Sequence, residues 1–227
     1  MKTLLLGGSG TLGTELQKLD NSIIAPPRTE VDIRLESTVY DYLKKIQPDV
    51  VILSAAVIDN NYIESYPNHG ILTNIIGTSN VALVCHTLNI RLIYISTDYV
   101  YNGNTNNQYH KETDDINPAN LYAWTKLGGE CAVRCVTNHL IIRTSFGTSK
   151  FPYNEAFDKQ YTSKDYVDNI APMILHASHS NTQGILNIGT ERKTLYEYAL
   201  TRNPNITKLN TKYKDYSLNT TKYNEIN

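Results

Sequence analysis

Short apolar runs closed off by glycine or polar residues recur along this chain, at KTLLLGG, SIIA, DVVILSAA, RLIYIST, HLIIRTS and GILNIG. Consecutive apolar positions put side chains on both faces of a strand, so these runs predict strands buried on both sides, as in a parallel sheet. Between the runs the period lengthens. Val39, Tyr40, Leu43 and Ile46 recur at helical spacing, and Pro48 ends the pattern. Helices are expected likewise over 11–19, 71–88, the stretch carrying Tyr122 up to about 136, 164–177, and LYEYAL. Residues 102–117 are polar and rich in Asn and Asp, which predicts a loop. The tail from Thr201 is polar and weakly periodic, expected either to pack as a short cap or to stay mobile. Strands alternating with helices specify an α/β fold, a doubly wound parallel sheet with right-handed crossovers.

Composition changes this picture mainly by exclusion. A chain of 227 residues accommodates one domain, or one domain with a small appendage. The net charge is −1 with both signs mixed throughout, so the electrostatic footprint of a nucleic-acid binder is missing and no nucleic-acid partner is expected. Cys85, Cys131 and Cys135 lack CxxC spacing and read as reduced, partly buried thiols, with neither a zinc site nor a disulfide framework. In MKTLLLGGSG a glycine interrupts the apolar run after three leucines and no small-residue cleavage site follows, so the segment reads as a strand and not a signal peptide. No apolar stretch approaches the roughly 20 residues of a membrane span. A soluble, cytoplasmic protein without membrane partners is the expectation.

Candidate chemistry starts at the first strand-to-helix turn, GGSGTLG. Glycines at positions 7, 10 and 13 let the backbone turn tightly, approach a pyrophosphate and pack the helix on the sheet, while the helix N-terminus offers free N–H groups to the anion. Gly7, Gly10, Thr11, Leu12 and Gly13 are therefore candidate cofactor-binding residues. This G-x-x-G-x-x-G spacing resembles that of the short-chain dehydrogenase/reductase superfamily. After the second run, where an NAD-specific fold places an acidic residue on the ribose hydroxyls, stand Pro26, Pro27, Arg28 and Thr29. Arg28 suits a 2′-phosphate, so NADPH is favoured with NADH as the alternative, and Asp32 and Ile33 would lie beside the adenine ring.

Thr97 follows the RLIYIS run, at the carboxyl end of its strand, where ligands of open α/β sheets bind. Tyr122 and Lys126 lie four residues apart on one helical face. A phenol titrates near about 10, and an ammonium within reach lowers such a group by roughly 1 to 3 units, which suits proton transfer. Glycine turn, hydroxyl, phenol and amine together describe the short-chain reductase set, in which Thr97 polarises a carbonyl, Tyr122 transfers the proton and Lys126 supports it.

The resemblance then narrows. LSAAVIDNNYIESYPNHGILTNIIGTSNVA, YISTDYVYNG, NPANLYAWTKLGGE, IIRTS, DKQYTSKDYVDNIA, GILNIGTERKTLYEYA and SLNTTKYNEI, in that order, resemble the dTDP-4-dehydrorhamnose reductase family of extended short-chain reductases. The implied organisation is an NAD(P)-binding Rossmann domain over 1–145, to which 165–190 return, and a small C-terminal substrate-binding lobe made of 146–164 and 191–227. The implied reaction is NADPH-dependent reduction of the C4 keto group of a nucleotide-linked 4-keto-6-deoxy sugar. Lys126 would lower the tyrosine pKa and hold the nicotinamide ribose, Tyr122 would share in the cofactor contact, Asn74 would sit under the cofactor, and Ser54, Ala55 and Ala56 would run along its phosphates. Asp98, Tyr99 and Phe146 would face the sugar nucleotide.

Epimerising relatives carry a cysteine where this chain has Asp98, which favours reduction alone. Phe146 replaces the family's usual tryptophan, and FGTSKFPYNEAFDKQYTSK is shorter than the family's segment there. The competing readings are an epimerase or dehydratase of the same superfamily and a non-catalytic NADP-binding regulatory subunit. A homodimer is the assembly left open, and no metal is implied. One outcome follows from Arg28 alone: Arg28→Ala raises the Michaelis constant for NADPH far more than that for NADH, and equal effects on the two in steady-state kinetics would remove the 2′-phosphate argument.

Overall fold

The computed structural model describes residues 1–103 and 109–226, so residues 104–108 of the expected 102–117 loop lie outside the described residues. β1 (Thr3–Leu6) leads into α1 (Thr11–Leu19), followed by α2 (Glu36–Ile46), β2 (Val50–Leu53), α3 (Asn60–Ser65) and α4 (Pro67–Gly70). A π-helical turn, Ile71–Gly77, continues into α5 (Thr78–Thr87), then β3 (Arg91–Ile95), α6 (Leu121–Val133) and β4 (His139–Thr144). Four short strands follow, β5 (Phe146–Gly147), β6 (Glu155–Phe157), β7 (Gln160–Thr162) and β8 (Asp165–Tyr166). The chain closes with α7 (Val167–His179), β9 (Gly184–Ile188), β10 (Lys193–Thr194), α8 (Leu195–Leu200), β11 (Thr207–Leu209), β12 (Lys214–Asp215) and α9 (Thr221–Asn224).

Five strands form one parallel sheet in the order β1-β2-β3-β4-β9. Its residues alternate between two cores. Leu4, Leu6, Val51, Leu53, Leu92, Tyr94 and Ile141 face α2, α5 and α6, whereas Leu5, Ile52, Ile93, Ile95, Leu140, Ile142 and Leu186 face α1 and α7. That two-sided burial is why the strands read as unbroken apolar runs. The fold class is the one expected, α/β with a doubly wound parallel sheet.

One expected strand is much reduced. SIIA contributes a single bridge, Ile24 to Leu4, on the edge of β1 opposite β2. Pro26 and Pro27 follow it without N–H donors, so pairing cannot extend. The chain thus leaves β1 to one side and returns as β2 on the other, a switch point whose crevice opens at the carboxyl ends of β1 and β2.

Other boundaries move by a few residues. The helix expected over 164–177 begins at Val167, after β8, and the tail packs as β11, β12 and α9. β12 and β10 flank β7, β11 pairs with β6, and β5 with β8, so the short segment after β4 is tied into small sheets by the tail. Of the three free thiols only Cys85 is buried; Cys131 and Cys135 are exposed, a correction to the expected partial burial. Among the described residues no helix is long and apolar enough to cross a membrane.

A buried ion pair joins α6 to the sheet. Arg143 on β4 and Glu130 on α6 are both fully buried; Nη2 donates to Oε2 at 2.7 Å and Nε to Oε1 at 3.1 Å. Ser96 Oγ donates to Glu130 Oε1 at 2.6 Å, and Arg143 Nη1 donates to the Tyr101 hydroxyl at 2.7 Å. Removing one partner of such a pair strands the other charge without water, which costs about 3–5 kcal/mol. Glu130→Ala is therefore expected to lower the unfolding free energy by about that amount in urea titrations, and Ser96→Ala by only about 1–3 kcal/mol.

Candidate active site

The glycine turn closes on itself and on β2. Gly7 has φ 106°, and a Cβ there would lie 2.5 Å from Ala55 N. A Cβ on Gly13 would lie 2.3 Å from Gly7 O, so α1 can start where it does only with glycine at that position. Ser54 N and Ala55 N both donate to Leu6 O at 2.9 Å, which holds the Ser54, Ala55, Ala56 segment against the turn.

A cleft of about 510 Å³ runs along this edge, lined by Gly7, Gly10, Arg28, Asp32, Ile33 and Ser54 among others. Backbone too close for side chains beside an open cleft is what a dinucleotide phosphate requires, so the residues fit such a cofactor. Arg28 extends outward with its side chain 68% exposed and its Nε 3.4 Å from Asp32 Oδ2. Arg34, which sequence reasoning passed over, also lines this cleft; its Nε donates to Asp32 Oδ1 at 2.9 Å. Hydrogen bonding from Arg34 holds the Asp32 carboxyl down to about 2. Its spacing two residues beyond Asp32 was the available signal.

Asn74 lies wholly buried in the π-helical turn. Its side chain accepts from Val57 N and donates to Val57 O, both at 2.8 Å, and also donates to Thr125 Oγ1 at 2.8 Å. Thr125 Oγ1 in turn donates to Tyr122 O at 2.7 Å. Asn74 therefore links Val57, at the edge of the first cleft, to the helix of the candidate proton donor.

At the end of β3, Thr97 is buried and its Oγ1 accepts from Tyr99 N at 3.2 Å, capping the short 3-10 turn Asp98–Val100. The Thr97 hydroxyl draws the Tyr122 phenol pKa down, so the fold brings hydroxyl and phenol into one neighbourhood. Burial, with the Asp98 carboxylate second, pushes the phenol up, against the pull of Thr97. Lys126 is buried with its ammonium 4.0 Å over the Tyr94 ring. Burial pushes its amine down to about 7, opposed by Glu130.

The lowering of the Tyr122 pKa anticipated from Lys126 is thus replaced by a rise. The Lys126 ammonium lies over Tyr94, and the charge acting on the phenol is that of Asp98. Tyr94 escaped notice because it sits inside an apolar strand run.

Asp98 is nearly sealed, its carboxyl pushed up to about 6 by burial against the pull of Lys164 and of hydrogen bonds from Thr97 and Ser145. Tyr99 is part-exposed and meets Tyr216 edge-on at 5.5 Å. Phe146 on β5 lines a second cleft of about 460 Å³, which runs from Gly10, Thr11, Leu12 and Gly13 to Tyr153 and Lys164. Among the described residues Thr97, Tyr122 and Lys126 do not line either cleft, whereas Ile95 at the end of β3 and Lys164 line the second. Among the described residues no group of three or more His, Cys, Asp or Glu side chains could hold a metal ion.

Residues 1–171 match the family model described as RmlD substrate binding domain. The dTDP-4-dehydrorhamnose reductase of Shigella flexneri is 35% identical over 159 residues, 64% of this chain and 51% of that protein. The spore coat polysaccharide biosynthesis protein SpsK of Bacillus subtilis is 33% identical over 150 residues, 64% of this chain and 53% of that protein. The chain thus spans about half the length of the curated relatives it matches. Among solved structures, the Bacillus anthracis dTDP-4-dehydrorhamnose reductase in complex with NADP superposes with a TM-score of 0.86 at 24% identity, covering 99% of this chain and 92% of that one. A hypothetical dTDP-4-dehydrorhamnose reductase from Sulfolobus tokodaii gives 0.86 at 25% identity, covering 99% and 94%.

The buried amine carries its own test. Lys126 titrates near 7 in the folded chain against 10.5 ordinarily. Between those values the unfolded chain holds a proton that the folded one has released, so this group makes stability rise with pH across that window. Lys126→Met is expected to be more stable than wild type below pH 7, with the difference shrinking toward pH 10 in urea unfolding. A difference that does not vary with pH would refute the assignment.

Proposed function

The chain belongs to the RmlD substrate binding domain family, and on that premise we propose that it is an NADPH-dependent reductase of the C4 keto group in a nucleotide-linked 4-keto-6-deoxy sugar, acting in deoxysugar synthesis. The observation that carries this reading is the glycine turn after β1, where a Cβ on Gly7 or Gly13 would lie 2.5 or 2.3 Å from backbone, together with Thr97 at the carboxyl end of β3 acting on the Tyr122 phenol. Similarity to sugar-nucleotide reductases, one of them solved with NADP, supports it.

The cofactor, when bound, supplies a hydride to the carbonyl carbon. Gly7, Gly10 and Gly13 leave room for its pyrophosphate, and Arg28, with Arg34 behind Asp32, answers the 2′-phosphate; NADH is the alternative cofactor. Thr97, whose single hydroxyl proton goes to Asp98 in the free chain, turns to donate to the carbonyl oxygen and orients it. The raised phenol pKa keeps Tyr122 protonated at neutral pH, so it can give its proton to the oxygen as negative charge develops there. Lys126, neutral or charged near pH 7, holds the nicotinamide ribose and replaces the proton. Residues 1–145 and 165–190 serve the cofactor, and 146–164 with 191–227 cover the sugar nucleotide. Asp98 in place of a cysteine restricts the site to reduction without epimerisation.

Tyr122→Phe tests this directly. It is expected to cut keto-sugar-dependent NADPH oxidation by about 10²- to 10⁴-fold while NADPH binding, followed by fluorescence, is unchanged. Tight NADP binding by the wild type with no turnover of any 4-keto-6-deoxy sugar nucleotide would instead favour a regulatory, cofactor-binding subunit.

A further inference from the structure

Lys126 brings an amine into the interior with no carboxylate bonded to it. The residue is 2% exposed, and among the described residues no hydrogen bond or ion pair reaches its ammonium. What stands next to it is a ring, for Nζ lies 4.0 Å from the centroid of Tyr94, over the ring face. A buried charge is costly unless something answers it. The face of a phenol ring carries negative potential, and its attraction for a cation grows where water is excluded.

Tyr94 is itself firmly seated. It is wholly buried in β3, registered between Leu53 of β2 and Ile141 of β4. Its hydroxyl reaches across to α6 and donates to the Lys126 carbonyl at 3.3 Å. Three residues further along α6, a Cβ on Gly129 would lie 2.5 Å from that hydroxyl, so the helix comes close enough for this contact only with glycine there. One side chain of the sheet thus meets Lys126 twice, at the backbone through its hydroxyl and at the ammonium through its ring. An aliphatic residue like Leu53 or Ile141 would fill core volume and do neither.

The other groups around the amine are already engaged. Glu130, one turn along α6, is the charge that acts on Lys126, and its carboxylate is taken up by Arg143 of β4 and by Ser96. The Tyr122 phenol acts on Tyr94 in turn. We propose that Tyr94 is the positioning residue of Lys126, seating its carbonyl with the hydroxyl and its protonated amine on the ring face. This rests on the reductase reading for what Lys126 then does, and adds to it the residue of β3 that fixes the amine one helical turn from Tyr122.

Ring chemistry can be changed without changing ring shape, which supplies the test. Tyr94→Phe is compared with chains carrying increasingly fluorinated phenylalanines at position 94, whose ring faces lose negative potential step by step. The Lys126 amine is titrated in each through the carbon resonance of its Cε in lysine-labelled protein, identified by its absence in Lys126→Met. Only the protonated amine is held by the ring, so the midpoint should stay near the wild-type value in Tyr94→Phe and fall with each added fluorine, by about one pH unit across the series. A midpoint that ignores fluorination would make Tyr94 a core residue, and a shift already complete in Tyr94→Phe would assign the effect to the hydroxyl; each overturns the proposal. Wild-type protein that turns over no keto sugar counts against the reductase reading alone, since the titration is read from the chain without substrate.

Discussion

The pair of Glu130 and Arg143 is the contact on which the rest of this molecule leans. Both charges are fully buried, and each is held by further partners: Ser96 from the end of β3 and Tyr101 from the segment beyond it. Two charges out of water are tolerated only in such a bidentate, fully bonded setting. The pair therefore specifies one relation between α6 and the sheet. A helix free to slide along β3 and β4 would carry Tyr122 past Thr97, and the candidate chemistry depends on that single alignment.

Around this anchor the site is largely buried, and burial governs its electrostatics. Burial is the largest influence on Tyr122, Lys126, Asp98 and Lys164 alike, and in each it favours the uncharged form. Coulombic neighbours only modify that bias. A protonated phenol and an amine that titrates near neutrality are the pair that the proposed proton transfer would use.

Much of the fold was legible because a parallel sheet leaves its mark directly in sequence. β1, β2, β3, β4 and β9 are apolar at consecutive positions since helices cover both faces. The glycine turn was legible for a comparable reason: where backbone meets backbone at 2.3–2.5 Å from a would-be Cβ, no other residue fits. What stayed hidden depended on pairing across long sequence distances. Nothing local in SIIA says that it will find only one partner residue on β1. The spacing of Tyr122 and Lys126 fixed a shared face, but not that Tyr94 would take the ammonium, nor that Asp98 would be the phenol's neighbour. Lys164 looked like any loop lysine until the turn between β7 and β8 placed it in the cleft.

Asn74 sits in a π-helical turn, one residue richer per turn than the α-helix that continues from it. The extra residue is an angular device. An α-helix advances about 100° per residue, so a chain one residue shorter here would close into an ordinary helix and swing Asn74 away from Val57 and Thr125 by that angle. Gly129, whose Cβ would come within 2.8 Å of Asn74 O, shows how closely α6 is seated against the widened turn. The edge of the first cleft and the helix of Tyr122 are thus geared together through a single carboxamide, and the gear ratio is set by the length of the chain at that turn.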